Sequence, residues 1–324
     1  MTTTTVARGQ PKTRVRALYR YSTLLALLIM IVVFSLTIER FLTARNIVNI
    51  VQQISMLTIV AVGLTYALAA RELDLSVGNV AGLAGIAATL ALVNGVPLPL
   101  AVLMGLSVGL AFGIVNAVMV TVVGIPSLIA TLAAGSIAYG VNFWISGGRA
   151  IYGGLPATFT NWGQGTWGIV PIVAVIMLAF VALSYVVLNH SVTGRYLYAV
   201  GANVAAARLA GVKVRLYKGL GLAISAVFAS SAGILLAARL GSGQPGAGER
   251  YLMDGLAAVF IGMTMFRPGV ATVAGTVFGA LFIGVLNNGL NLLGLDFFVQ
   301  NIAKGVLMLL AVSIVSRQTT VRLL

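Results

Sequence analysis

The acid–base chemistry open to this sequence rests on six carboxylates and one imidazole. The acids are Glu39, Glu72, Asp74, Glu249, Asp254 and Asp296, the histidine is His190, and cysteine is absent. One histidine cannot build a metal triad. Without thiols there is no disulfide frame, no thiolate nucleophile and no cysteine–zinc cluster. No Gly-x-x-x-x-Gly-Lys-Ser/Thr loop is present to cradle phosphates, so the chain has no P-loop nucleotide site of its own. His-Glu-x-x-His is missing, and Gly-x-Ser-x-Gly does not occur as a nucleophile elbow. The acids are too few, and mostly too near the ends of apolar runs, to form a proton relay across a membrane. This set of residues points to a conduit that another protein energises. It does not point to an enzyme, nor to a chain that holds its own cofactor or metal.

One charge stands well inside an apolar run: Lys304. A charge within a membrane is costly and marks a functional position with a partner nearby. Asp254 is the expected partner, because both residues fall in the outer half of their runs. The alternative is that Lys304 snorkels its ammonium to the outer surface.

Apolar helices must position these residues. The chain has 324 residues, of which 60% are hydrophobic and 8% charged, against about a quarter charged in soluble domains. No charge occurs between Asp74 and Arg149, a stretch far longer than the roughly 20 residues one span needs. Glycine, at 38 residues, suits close helix packing in lipid. Backbone in lipid must satisfy its own hydrogen bonds. The expected fold is therefore all-α: a polytopic membrane protein of about ten transmembrane helices. The apolar segments are 21–38, 50–70, 76–93, 98–122, 126–146, 167–188, 218–240, 252–266, 270–288 and 297–315. The first follows Arg8, Lys12, Arg14, Arg16 and Arg20 as a signal peptide would, but its run is long and no small-x-small cleavage site follows, so it reads as a retained span.

The net charge of +14 raises nucleic acid as a partner. The basic residues, however, sit at the ends of apolar runs, as topology signals do. No nucleic-acid partner is expected; the lipid membrane is. Basic residues favour the cytoplasmic side. That places there an N-terminal arm (1–20), a loop at 189–217 with Arg195, Arg208, Lys213 and Arg215, and a tail (317–324) with Arg317 and Arg322. Ten spans put all three on one side, whereas nine or eleven put the basic tail outside. Both termini are thus expected in the cytoplasm, flanking a transmembrane domain at 21–316. The longest outer loop, 147–166, is flanked or occupied by Trp144, Tyr152, Phe159, Trp162 and Trp167, either an interfacial belt or a surface for an external partner. A faint internal repeat pairs Gly63-Leu64-Thr65 and Val80-Ala81-Gly82 with Gly262-Met263-Thr264 and Val273-Ala274-Gly275. In a ten-span topology both copies run in the same direction, as parallel repeats do.

Three motifs stand out. Arg71-Glu72-Leu73-Asp74-Leu75-Ser76-Val77-Gly78 joins the second and third spans. Asp74 or Ser76 there can cap the next helix, or the segment is a re-entrant break lining a pathway. Gly194-Arg195-Tyr196, Gly201-Ala202-Asn203 and Ala205-Ala206-Ala207-Arg208-Leu209-Ala210-Gly211 lie in the 189–217 loop. They predict a short helix with Asn203 as N-cap and Gly211 as stop, suited to receiving force from a cytoplasmic partner or to resting on the membrane. Leu286-Asn287-Asn288-Gly289-Leu290-Asn291-Leu292-Leu293-Gly294 puts three amides in apolar surroundings, where each needs a partner. They either cap the helix end or hydrogen-bond a polyhydroxy solute.

Together and in this order, the three motifs resemble the ribose-type permease subunits of bacterial ABC sugar importers, of the branched-chain amino acid/ribose permease superfamily. The likeness runs from about residue 20 to residue 315. It implies a multi-pass protein of the bacterial cytoplasmic (inner) membrane that carries a pentose, hexose or polyol by alternating access. The implied partners are a second permease copy (identical or related), a cytoplasmic ATPase that binds ATP and Mg, and an extracytoplasmic sugar-binding protein. It assigns ATPase coupling to Gly201, Asn203, Ala206, Arg208, Leu209 and Gly211. Sugar sites use amides and hydroxyls, so Asp74, Ser76, Asn116, Thr131, Asn142, Asn287, Asn288 and Asn291 are the pathway candidates; such groups also hold helices together. The sequence departs from the family where Val204 replaces a common Glu, where Leu252 and Met253 replace an acidic position, and at Met265-Phe266-Arg267-Pro268-Gly269. The alternative is a self-sufficient channel or an ion-coupled carrier that needs no soluble partner.

Overall fold

The structure is a computed structural model that describes the backbone of residues 13–320 and the side chains of residues 23–313. The basic arm and tail therefore lie, wholly or for their side chains, outside the described residues. Each of the ten apolar segments coincides with a helix: α1 (Thr13–Thr37), α2 (Ala44–Ala69), α3 (Val77–Val93), α4 (Leu98–Val118, prolonged by a π turn at Met119–Val123), α5 (Ser127–Ser146), α7 (Ile172–His190), α10 (Val214–Leu240), α11 (Arg250–Met265), α12 (Val273–Leu292) and α13 (Phe297–Thr320). Between them lie α6 (Ala157–Gln164), α8 (Val192–Ala202) and α9 (Val204–Leu209). Two short antiparallel ribbons complete the described chain. One pairs β1 (Ile151–Tyr152) with β4 (Ser242–Gly243), the other β2 (Thr166–Trp167) with β3 (Val170–Pro171).

Six helices are long and apolar enough to cross a membrane by length and composition: Ala44–Ala69, Leu98–Val123, Ser127–Ser146, Ile172–His190, Val214–Leu240 and Val273–Leu292. Shorter apolar stretches lie at 23–37, 77–93 and 297–313. The core helices α2 and α10 are buried through most of their length. By contrast α4, α5 and α7 leave Leu103, Ile137, Leu183 and many other large apolar side chains exposed, an arrangement that suits lipid rather than water.

The packing has an internal symmetry. Helix α10 lies along α2, α3 and α4, while α2 lies along α10, α11 and α12. Helix α3 packs on α4 and α5, as α11 packs on α12 and α13. Exchanging the quartets α2–α5 and α10–α13 leaves this pattern unchanged. The single helix α7 separates them, so the two quartets run in opposite senses if each long helix crosses once. The tripeptide pairing expected from sequence does not follow this correspondence. Gly63 lies against Phe228 of α10, whereas Gly262 lies against Gly275 of α12. Similar small residues there serve different helix contacts.

Each quartet is interrupted after its first helix, at 70–76 and at 241–249. Both interruptions turn back into the bundle. Ser76 lies against Gly135, eight residues along α5, which is about 12 Å from the start of that helix. Gly248 lies between Gly78 and Gly82 of α3, at the level where Ala81 abuts Gly233 of α10. Gly233 is seven residues before the end of α10, so the chain has descended about 10 Å back into the bundle.

Candidate functional site

The first interruption is closed by side chains. Extended backbone buried among helices leaves amide groups that the apolar surroundings cannot satisfy. Ser127 and Thr131, in the first turns of α5, supply the missing partners. The Leu73 amide donates to Ser127 Oγ (3.2 Å) and the Leu75 amide to Thr131 Oγ1 (3.0 Å). Asp74, fully buried, accepts at Oδ1 from the Ser76 amide (3.0 Å) and the Ser76 hydroxyl (2.6 Å). Asn116 of α4 donates in turn to Ser76 Oγ (3.0 Å). Asp74, Ser76, Asn116 and Thr131 therefore converge on one place, all fully buried. Ser76 is the N-cap of α3 by position but makes no side-chain cap bond. Its hydroxyl is committed to Asp74 instead, which corrects the expected cap. Asp74 Oδ2 and Asn116 Oδ1 are buried with no hydrogen-bond partner among the described residues. At the mouth of this interruption Lys218 of α10 forms an ion pair with Glu72, and Arg71 takes the left-handed conformation (φ +62°) that turns the chain inward.

The second interruption, Gly241-Ser242-Gly243-Gln244-Pro245-Gly246-Ala247-Gly248-Glu249, is made mostly of small residues. A Cβ on Gly248 would collide with the Gly78 carbonyl and the Gly82 amide nitrogen, so only glycine permits the descent along α3. Asn142 of α5 is buried beside it, its Nδ2 about 3 Å from where a Gly82 Cβ would sit and its Oδ1 without a hydrogen-bond partner among the described residues. Glu249, the N-cap of α11, is exposed and makes no side-chain cap bond.

One turn further along α11, Asp254 Oδ1 lies 2.9 Å from Lys304 Nζ of α13, and both residues are at least nine-tenths buried. The approach is off the line of a good hydrogen bond, since Oδ1 has no hydrogen-bond partner among the described residues. Asn287 of α12 donates to the other oxygen, Oδ2, at 2.9 Å. Asn288 exchanges two amide bonds with Asn46 at the start of α2 (3.0 and 2.9 Å), joining elements 242 positions apart. Asn291 is exposed. The three amides of this motif thus have three different settings, and the structure does not gather them into one site. Thr65, named only within the faint repeat, and Thr276 share a buried hydroxyl bond of 2.7 Å between α2 and α12.

The 189–217 region forms a separate platform. Asn203 caps α9 by accepting from the Ala206 amide (3.0 Å), and Gly211 (φ +79°) ends the turn after it. Ala207 is buried with Val200 and Val214, which anchors the underside of α9. Ala206, Arg208 and Leu209 are exposed, Leu209 at 91%. Gly201 faces inward instead: a Cβ there would collide with the Ala69 carbonyl, so glycine lets α8 abut the end of α2. Tyr198 of α8 donates to the Ala271 carbonyl (2.9 Å), tying the platform to the turn before α12. Burial pushes the Tyr198 phenol up to about 12, against a smaller downward pull from Arg267, so it remains a proton donor in neutral solution. The opposite face carries α6, whose Gly163 sits on the end of α10 and whose Gln164 donates to the Arg239 carbonyl (2.9 Å). Phe159 there is buried, while Trp144, Tyr152 and Trp167 are largely exposed.

Among the described residues no three His, Asp or Glu side chains come together as a metal site. The Gly-x-Ser-x-Gly string at 105–109 lies within α4 and is no strand-to-helix elbow. Helical faces clothed in apolar side chains and buried interruptions mark a multi-pass α-helical membrane protein. The family model described as "Branched-chain amino acid transport system / permease component" matches residues 46–314. The chain is 38% identical over 316 residues to the ribose import permease protein of Escherichia coli, covering 96% of this chain and 98% of that protein. It is 36% identical over 290 residues to the ribose import permease protein of Bacillus subtilis (89% and 90%). It is 31% identical over 355 aligned positions to a xylose transport system permease protein of Haemophilus influenzae (90% and 94%). The chain belongs to this permease family.

Proposed function

We propose that this chain is the membrane-spanning permease subunit of a bacterial ABC importer and carries a monosaccharide (a pentose, hexose or polyol) across the inner membrane by alternating access. The observation that carries the reading is similarity over nearly the whole chain to permeases named for ribose and xylose, in a sequence with no P-loop. ATP and Mg then belong to a partner ATPase. The exposed face of α9 is the natural contact for it: a capped helix anchored through Ala207 to the start of α10 and to α8, which abuts the end of α2. Ala206, Arg208 and Leu209 make that contact, while Asn203, Gly211 and Gly201 hold the helix in position.

In this reading all ten apolar helices cross the membrane, both termini are cytoplasmic, and the α9 platform lies on the same side. The face with α6 and the exposed aromatics is external and receives a sugar-binding protein. A second copy of the chain, or a related one, completes the pathway. The test is uptake of labelled D-ribose, D-xylose and D-allose into proteoliposomes holding the permease, its ATPase and the binding protein. ATP-dependent accumulation of one of them is expected. Uptake that persists without ATP and the ATPase would assign the chain to channels or ion-coupled carriers instead.

A further inference from the structure

The pathway candidates chosen from sequence are mostly buried and occupied, whereas Glu249 is neither. It stands at the inner end of the re-entrant segment, about 10 Å inside the end of α10 by the level of its neighbour Gly248. It is exposed there and forms no ion pair among the described residues. Arg250, also exposed, is next in sequence and is not paired with it. A bare carboxylate at such depth is strongly disfavoured against lipid and tolerable against a water-filled cavity. The surface that carries Glu249 is therefore on the aqueous path and not on the lipid face.

The side chains around it have a specific chemistry. Glu249 Oε1 and Phe143 Cζ both lie within 4 Å of the point a Gly246 Cβ would occupy, so carboxylate and ring edge flank one bare stretch of backbone. Phe143 stacks with Tyr139 one turn earlier on α5 (centroids 4.5 Å apart, planes at 38°), and Tyr139 is 42% exposed. Behind the pair, Asn142 keeps a buried amide oxygen with no hydrogen-bond partner among the described residues. An acceptor-only carboxylate beside two aromatic rings matches a sugar, which offers hydroxyl donors on its rim and an apolar C–H face.

We infer that Glu249, with Phe143 and Tyr139, forms a sugar-binding waypoint on the translocation path, held open by Gly246. This rests on the sugar-importer reading above and assigns its contact residues. Glu249 accepts hydroxyl hydrogen bonds and the rings support the C–H face. The carboxylate repels anionic solutes.

The absence of native cysteine gives a clean test. In the assembled importer, Glu249→Cys and Phe143→Cys should react with a membrane-impermeant methanethiosulfonate. D-ribose, or whichever tested sugar the wild type accumulates, should slow both reactions several-fold. Leu183→Cys, 59% exposed on the apolar face of α7, should stay unreactive. Glu249→Gln, which preserves shape, should lower ATP-driven uptake roughly tenfold, the size of one charge-assisted hydrogen bond, with the amount of assembled transporter unchanged. A wild type that accumulates no sugar overturns the importer reading. A wild type that accumulates sugar while Glu249→Cys is unreactive, or unprotected by that sugar, overturns the waypoint alone.

Discussion

The two interruptions, 70–76 and 241–249, occupy corresponding places in the two helix quartets and are built in opposite ways. The first is sealed: hydroxyls from α5 hold its amides and Asp74 gathers both donors of Ser76. The second is held by backbone: Ser242 and Gly243 pair with Tyr152 and Ile151, glycines lay the rest along α3, and its one charge is exposed. Broken helices are tolerated in a membrane only where protein or water satisfies the freed backbone. Side chains of α5 satisfy the first; the second joins a backbone ribbon at its outer end with, in our reading, water at its inner end. A transporter that alternates between states needs a fixed frame as well as a wetted surface, and here the two duties fall on different quartets.

Substitutions at the two places should therefore fail differently. The largest effect is expected at Asp74→Leu, which leaves the Ser76 amide and hydroxyl buried without an acceptor. At about 1–3 kcal/mol for each stranded group, the midpoint of thermal unfolding in detergent should fall steeply, and Asp74→Asn, which keeps one acceptor oxygen, should recover part of it. Equal loss for Leu and Asn would mean that the hydrogen bonds to Ser76 are not what Asp74 supplies. Next comes Gly248→Ala. Its methyl group must displace the Gly78 backbone, an overpacking cost of about 1–3 kcal/mol, and sugar uptake should fall with it because the second interruption is pushed off α3. An Ala variant with wild-type uptake and melting would show that this contact is looser than its geometry. The smallest effect belongs to Thr131→Val, which removes the acceptor for the Leu75 amide at about 1 kcal/mol or slightly more. It should lower the melting midpoint while leaving the uptake rate of the surviving protein unchanged. A selective loss of uptake would place Thr131 on the pathway.

Most of the helical frame was legible in the sequence, because uncharged runs of the right length have few alternatives in lipid. The cap at Asn203 and the stop at Gly211 were legible too, since both are local backbone chemistry. What stayed hidden depends on approach between distant segments. Nothing near Asn46 announces its pairing with Asn288, 242 positions away, and Glu72 meets Lys218 across 146 positions. Helices α6 and α8 went unseen because neither has an apolar run long enough to stand out. Glu249 was passed over for a related reason: in sequence it is an acid at the end of a span, and only the inward turn of 241–249 shows how deep it sits.

Helix α5 touches both interruptions, which makes it the best single ruler for the account. Its first half seals one through Thr131, and its second half meets the other through Phe143. The most direct test is to compare the rates at which Thr131→Cys and Phe143→Cys react with a membrane-impermeant thiol reagent in the assembled transporter. A reactive Phe143→Cys beside an inert Thr131→Cys is predicted. Equal rates, or a faster reaction at Thr131→Cys, would contradict the division between a sealed interruption and a wetted one.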